Sequence, residues 1–363
     1  MPVSEQPGDG WTSDALTSRA ARADSRAERD LAAAITDFLL PGEARLDDRT
    51  RHQLGEHVRA VIGAVEVAVR RHAARLLAAR GAPERAEALL TGHADVAGRL
   101  LHGGLLRDPE IMAEMIARVR QDQLAAALPA TLAEHGAADA PSLVVRLAAA
   151  PDAVVARAAA ALLVADNRRR DAAERAAANG SELPAELHHR LVWWVAAAIR
   201  DPRDHETDRA IAEAALRAVA AHDEGERTDA VALRLAIAIA ANATELPDLL
   251  VEALGDRRVG LFTALLAHAS GLPHEAARAI TLEPGGDRLW LALRAVALDR
   301  ATIARIALAL ADAEPARDIE TFADHLDAIA AIEPVAARAA LLPLTLPADY
   351  RAAIRALARS EAR

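Results

Sequence analysis

The sequence contains no cysteine and no lysine, and aromatic residues make up only 2% of its 363 positions. The absence of cysteine excludes disulfides, thiolate nucleophiles, iron–sulfur clusters and cysteine-ligated zinc. The absence of lysine excludes a Schiff-base lysine and the lysine of a Walker A loop. All 43 basic residues are therefore arginine. Several classes of catalysis are removed before any motif is considered.

Alanine dominates what is present, with 95 copies in a chain whose hydrophobic fraction is 52%. Alanine has the best intrinsic helix propensity, whereas β-branched and aromatic residues favour strands. No stretch shows strand alternation joined by hairpin turns. The composition therefore predicts an all-α protein in which small side chains let helices pack closely.

The formal net charge is −10, which disfavours a broad nucleic-acid footprint because such footprints are basic. The first 30 residues are polar and lack the apolar core of a signal peptide. The apolar runs 230–241 and 191–199 are shorter than the ~20 residues that cross a bilayer. We expect a soluble cytoplasmic protein that does not insert into a membrane.

Composition divides the chain into three parts. Residues 1–12 are rich in Pro and Gly and are expected to be disordered. Residues 13–180 form an N-terminal helical region, and residues 181–363 form a C-terminal helical-repeat region. The segment 172–181, which ends in Ala-Asn-Gly-Ser, is the expected flexible joint between them.

A single long helix is predicted over residues 47–80, with an aspartate at its start and Gly81 after its end. Its apolar stripe, at spacings of three and four, predicts either a core helix of the same chain or a dimerisation helix. The stripe consists of Leu54, Val58, Val61, Val65, Ala68, His72 and Leu76.

Shorter helices follow, punctuated by proline and glycine. Proline suits the first turn of a helix because its missing N–H has no partner there. The triplet at 255–257 recurs at 286–288, an offset of 31 residues, and each copy is expected to open an apolar helix. Stacked hairpins of this size bury a continuous core. We therefore predict an irregular α-solenoid of HEAT-like hairpins. The prolines expected to start helices are Pro83, Pro109, Pro184, Pro247, Pro273 and Pro347.

No motif for chemistry emerges. His52 and His57 are five residues apart, and His188 and His189 are adjacent, so neither pair shares a helix face as metal ligands would. There is no Gly-x-Ser-x-Gly nucleophile elbow and no phosphate-binding loop. We therefore expect no catalytic residue, no metal and no cofactor.

The helix expected over residues 187–200 carries the best interaction candidates. Leu187, Leu191 and Val195 share its broad apolar face with Trp194 and Ala198, whereas Trp193 lies on the other side with His189 and Arg200. Two interpretations stay open. The helix is central and packed on both sides, or Trp193, with His189 and Arg200, anchors a partner or a second subunit, since tryptophan is enriched at interface anchors.

Four stretches of the sequence resemble a bacterial family known as domain of unknown function 2336. They are residues 102–120, 182–198, 249–272 and 286–298, and the second, with its Trp-Trp pair, is the most specific. The resemblance extends from about Leu31 to the C-terminus. It implies a helical, HEAT-like architecture, no established activity and no catalytic residues to transfer.

Three functional hypotheses remain. The first is a non-enzymatic helical-repeat scaffold that binds a protein partner in bacterial regulation, with a homodimer through helix 47–80 or around Trp193 as one form of that contact. The second is an enzyme or small-molecule binder whose site is assembled only in the fold. The third is nucleic-acid binding through an arginine-lined face, which the net charge disfavours.

Overall fold

The computed structural model describes residues 47–92, 94–129, 141–175, 182–283, 285–314 and 317–361, with a few isolated positions before residue 36. This part of the chain is all-helical, which confirms the predicted class, and it contains no strand. The disorder expected for residues 1–12 lies outside the described residues, as does most of the joint expected at 172–181.

The described residues form seventeen α-helices and three short 3-10 helices. The first nine α-helices are α1 Asp48–Ala79, α2 Pro83–Thr91, α3 Val96–His102, α4 Pro109–Ala127, α5 Leu143–Ala148, α6 Ala153–Arg175, α7 Ala185–Ile199, α8 His205–Ala220 and α9 Thr228–Ile239. The other eight are α10 Leu246–Gly255, α11 Val259–Ser270, α12 His274–Thr281, α13 Asp287–Ala295, α14 Arg300–Ala313, α15 Ile319–Ala330, α16 Pro334–Leu341 and α17 Ala348–Glu361. The 3-10 helices are Leu105–Arg107, Glu224–Glu226 and Leu342–Thr345.

The chain divides into two compact units, each built from segments that are not contiguous in sequence. The first unit comprises Leu31–Val119 and Ala161–Val231. The second comprises Arg120–Ala160 and Ala232–Arg363, together with Met1–Asp30, most of which lies outside the described residues.

The long helix is confirmed almost to the residue. Asp47 caps α1 by accepting a hydrogen bond from the backbone N–H of Thr50 at 2.8 Å, and Gly81 follows the helix with a positive φ of 80°. In the first unit, α1 packs against four other helices, which are α2, α3, α7 and α8. Within the stripe, Leu54, Val58 and Val65 are buried in this core. Burial within its own unit supports the interpretation of α1 as a core helix.

Helix starts follow two sequence signals. Four helices open with Asp-x-x-Thr, in which the aspartate carboxylate accepts from the N–H of the threonine three residues later; these pairs are Asp47–Thr50, Asp204–Thr207, Asp299–Thr302 and Asp318–Thr321. Every proline expected to open a helix lies at the first or second helical position or immediately before the helix.

A helix follows each copy of the repeated triplet as predicted, from Val259 and from Asp287, but the capped start is wrong, because neither helix has a side-chain cap. Gly255 is the last residue of α10, and Arg257, with a φ of 59°, lies in the turn that follows. In the second copy, Gly286 precedes α13 in the left-handed conformation, and Arg288 lies inside that helix. The same triplet thus ends one helix and begins another. A glycine serves either boundary, so the letters alone do not distinguish them.

Arginine side chains satisfy carbonyl oxygens at the C-terminal ends of helices in both units. Arg70 donates to the carbonyl of Leu89 in the last turn of α2, and Arg99 donates to that of Ala198 in the last turn of α7. In the second unit, Arg338 donates to Ala295 at the end of α13. The last four carbonyls of a helix have no partner within the helix, so each contact satisfies a group that burial would otherwise leave unpaired.

Arg317 is the most enclosed example. It is 6% exposed and donates to the carbonyls of Thr281 and Glu283 at the end of α12, at 2.8 and 2.9 Å. Its Nε lies 2.9 Å from the carboxylate of Glu314. Burial lowers the pKa of Arg317, and the charge of Glu314 opposes that shift. The guanidinium therefore holds the end of α12 through its two terminal nitrogens, while its Nε faces Glu314.

Within the part of the chain that is described, no single helix is long and apolar enough to cross a membrane. The segments Ile319–Ala330 and Pro334–Thr345 together meet the length and composition of a span, but the chain bends by 114° between them.

Replacing Arg317 by Met is expected to destabilise the protein by about 2–4 kcal/mol, because two buried carbonyl groups lose their donor. Arg317→Lys should fall in between, since an ammonium cannot reproduce the planar fork. Urea denaturation followed by circular dichroism gives the free energies. Arg300→Met is the matched control: its ion pair with Asp327 is exposed, so its loss should cost less than about 1 kcal/mol. Equal losses for the two Met variants would contradict the capping role.

Candidate functional site

The helix α7 carries the interaction candidates and packs into the core of the first unit. Leu187, Leu191 and Val195 are buried, as are Val192 and Ala198, and the helix contacts α1, α3 and α8. Three helices thus enclose one side of α7. The opposite side presents His189 and Arg200, which are exposed as predicted.

Trp193 is only half-buried, and it packs along the margin of the core cluster. Its Nε1 donates a hydrogen bond to Nε2 of His189 at 2.9 Å, and the two rings meet edge to face at 84° with their centroids 6.4 Å apart. The polar edge of the indole is therefore satisfied by a residue one turn earlier on the same helix. This contact fixes the ring while leaving part of it exposed.

Arg200 is not brought together with the other two candidates. It follows the last residue of α7. Its Nε lies 3.1 Å from Oδ1 of Asp208 on α8, and a terminal nitrogen lies 3.1 Å from Oδ2 of the same carboxylate. These two contacts fix the orientation of the guanidinium relative to the Asp208 carboxylate. His189 and Trp193 therefore form one cluster, and Arg200 lies at the end of the same helix in a separate ion pair.

A second arginine ties α7 to the start of α4. Arg190 donates to Asp108 at 2.5 Å and to Glu110 at 2.8 Å. The hydrogen bond that Arg190 donates to Glu110, together with the one that it donates to Asp108, raises the pKa of Arg190. Arg190 and Arg200 thus anchor both ends of the outer face of α7 to neighbouring elements of the first unit.

A stacked histidine pair lies on the buried side of α7 and was missed by sequence reasoning. The rings of His188 and His222 are 4.2 Å apart between centroids and inclined by 22°. His188 is 7% exposed, and among the described residues neither its Nδ1 nor Nε2 of His222 has a hydrogen-bond partner. The two residues are 34 positions apart, and His222 lies just beyond the end of α8, so no local periodicity links them.

The environment of His188 strongly disfavours its charged form. Burial, and then the neighbouring His222, lower its pKa from 6.5 to about 4, and a hydrogen bond with the backbone of Ala218 only partly opposes this. Among the described residues, a proton added at Nδ1 would have no acceptor. His188 is therefore stable in its neutral form, which makes this packing contact depend on pH.

A buried arginine with three carboxylates lies elsewhere in the first unit. A terminal nitrogen of Arg118 is 2.8 Å from Asp229 and 3.9 Å from both Glu114 and Glu182. Glu182 also accepts from the backbone N–H of Thr228 at 2.9 Å and so caps the start of α9. This network joins α4 to the starts of α7 and α9. Glu114 lies one turn before Arg118 on α4, whereas the contacts with Asp229 and Glu182 connect α4 to other segments of the first unit.

No group of three or more His, Asp or Glu side chains suited to a metal ion occurs within the described ranges. The stacked geometry of His188 and His222 also differs from that of a shared metal site, because a metal lies in the plane of each ligating ring and these planes are nearly parallel.

Acidification should weaken the fold through His188. Below pH 6.5 the unfolded chain binds a proton that the folded chain excludes down to about pH 4. The free energy of unfolding should therefore fall across this window, by at most about 3 kcal/mol. Urea denaturation at pH 7 and pH 5 measures it. His188→Phe keeps a stacked ring and should reduce the loss, whereas the exposed control His189→Gln should not. The same pH dependence in all three proteins would contradict this role.

Comparison with known proteins identifies a family over most of the chain. The family described as "uncharacterised protein conserved in bacteria (DUF2336)" matches residues 120–344. The match contains three of the four resembling stretches, including the one around Trp193, but begins where the stretch 102–120 ends. No curated protein and no solved structure matches the chain. Because the matched region covers more than half of the sequence, the chain belongs to this uncharacterised bacterial family.

Proposed function

We propose that this protein is a non-enzymatic helical scaffold that binds a protein partner through the outer face of α7. The proposal includes an irregular solenoid of HEAT-like stacked hairpins as its architecture and the bacterial cytoplasm as its location. A scaffold of this kind needs rigid helices that present an extended surface and requires no catalytic group.

Sequential helix packing in the second unit supports the hairpin part of the proposal. Helix α10 packs against α11, α11 packs against α12, and α14 packs against α15. Three residues separate α10 from α11 and α11 from α12, a connection as short as in a helical hairpin. Contacts between helices farther apart in sequence, α10 with α14 and α13 with α16, bring these pairs together within the unit.

The half-buried indole of Trp193 is the observation that carries the proposal. Its Nε1 is already bonded to His189, so a partner can cover the rest of the ring without leaving a buried donor unpaired. Tryptophan and arginine are enriched among residues that dominate interface energies, and Arg200 lies two turns further along the helix. Leu54, Val58 and Val65 of the α1 stripe are buried within their own unit, although Ala68 is exposed, so we assign the contact to α7. The partner is a second copy or another protein.

Replacing Trp193 by Ala should reduce partner binding by about 30-fold or more, the loss typical of an interface anchor. Tagged protein is captured from its native bacterial cells, bound proteins are identified by mass spectrometry, and the main partner is titrated against purified variants. Trp193→Phe retains most of the ring, loses the bond to His189 and should be intermediate. Leu216→Ala, an exposed change on α8, is the control and should bind normally.

Thermal melting of the same variants separates binding from folding. The Trp193→Ala protein should melt within a few degrees of the parent, because the ring is only half-buried. Unchanged partner binding combined with a large fall in melting temperature would make Trp193 a packing residue and reject the proposed surface.

A further inference from the structure

Large exposed hydrophobic side chains concentrate in the C-terminal part of the second unit. Of the sixteen in the described residues, six fall within the 23 positions from Val335 to Leu357. We call residues 335–357 the C-terminal apolar segment. It runs from α16 through the last 3-10 helix into α17. Its exposed members are Val335 (74%), Leu342 (62%), Leu346 (38%), Tyr350 (58%), Ile354 (44%) and Leu357 (65%).

The helix α17 turns its apolar stripe outward. Tyr350, Ile354 and Leu357 lie at positions i, i+4 and i+7, which places them on one face, and all three are exposed. Over residues 348–358, where burial is described, the half-buried side chains are instead Arg351 and Arg355. This is the reverse of the usual arrangement, in which the apolar face is buried and the arginines are solvated. The exposed stripe is therefore explained only if something covers it.

We propose that a second copy of this chain covers the C-terminal apolar segment, so that the segments of two copies pack against each other. The inference concerns a surface distinct from α7 and does not depend on the function proposed above. Homodimers with twofold symmetry use the same patch on both copies, so the patch must be compatible with itself.

Charge favours a second copy. The six large apolar side chains carry no charge, and between Val335 and Leu357 the exposed charged side chains are Arg338 and Asp349, which are opposite in sign, although each chain carries a net charge of −10. An anionic membrane would instead attract a helix whose arginines are exposed beside the apolar face. Here Arg351 and Arg355 are the half-buried members of α17.

The size of the segment is adequate for a dimer contact. By their exposed fractions, the six residues leave roughly 600 Å² accessible per copy, compared with the ~800 Å² that each partner buries in a standard interface. The exposed alanines of α17 add to this surface and let two helices approach closely. They are Ala352, Ala353, Ala356 and Ala358. A pair of α17 helices alone would be about 21 Å long, so the preceding residues are needed to complete the contact.

Sedimentation velocity of the full chain over about 1–100 μM protein tests the proposal. We expect concentration-dependent dimerisation, weakened at least about tenfold by Leu357→Glu and by Tyr350→Glu. Leu308→Glu is the matched control, because Leu308 on α14 is 54% exposed in the same unit but lies outside the segment. Circular dichroism confirms that each variant is folded. A chain that stays monomeric throughout, or a dimer insensitive to both substitutions, overturns the proposal.

The absence of native cysteine provides a direct second measurement. A spin label at Leu357→Cys should report a short distance between copies, and one at Leu308→Cys should not. Trp193→Ala should leave the distance between labels at Leu357→Cys unchanged, even where α7 itself contacts a second copy, so this test and that of the α7 surface fail independently. Co-sedimentation with vesicles of phosphatidylglycerol is the competing arm. Binding that Leu357→Glu abolishes, by a chain that does not self-associate, would assign the segment to a membrane and refute the dimer.

Discussion

The donation of arginine N–H groups to carbonyl oxygens at helix ends is the interaction on which this fold depends. Alanine makes helices readily but offers no side-chain group to satisfy the carbonyls that each helix leaves unpaired. A protein with 95 alanines and seventeen described helices has many such ends. Arg70, Arg99, Arg317 and Arg338 each reach the end of another helix. The positive charge also complements the negative end of the helix dipole. An arginine can donate to two carbonyls at once through its planar guanidinium. Arginine alone can therefore cap these helix ends in a chain without lysine.

A second constraint follows from the small side chains that these arginines hold together. Each alanine buries little apolar area, so stability has to be spread over many close contacts, with a few large residues as local centres. Phe262 is fully buried in α11, and the rings of Trp290 and Phe322 meet at 4.5 Å in the second unit. The chain has only eight aromatic residues. A large side chain at the surface therefore does not contribute its apolar area to a core that contains few large residues. Because aromatic residues are so few, the half-burial of Trp193 and the exposure of Tyr350 call for an explanation.

The sequence predicted those features that local rules control. Asp47, Thr50 and Gly81 determine the ends of α1 through a cap and a left-handed turn, so that helix was placed to within one residue. The outward position of His189 and Arg200 followed from helical periodicity alone. The contact of His188 with His222, the paired contact of Arg200 with Asp208 and the half-burial of Trp193 depend instead on how α7 and its neighbours pack. No spacing in the sequence encodes those contacts. The repeated triplet misled for a related reason, since glycine serves the end of α10 and the start of α13 equally well.

The two proposed surfaces differ in how the chain keeps apolar groups exposed. On α7, the indole of Trp193 is held by a hydrogen bond to His189. The side chain therefore loses its conformational entropy in the free protein, and less entropy is lost when a partner binds. On α17, Arg351 and Arg355 occupy the half-buried positions and leave Tyr350, Ile354 and Leu357 outside. The first arrangement orients a single anchor, which suits recognition of a different protein. The second presents a strip of large apolar side chains, which is buried most completely by a partner with the same pattern. A scaffold assembled from two copies would then present two α7 faces, and the avidity of paired sites would raise its affinity for a repetitive partner without any new contact.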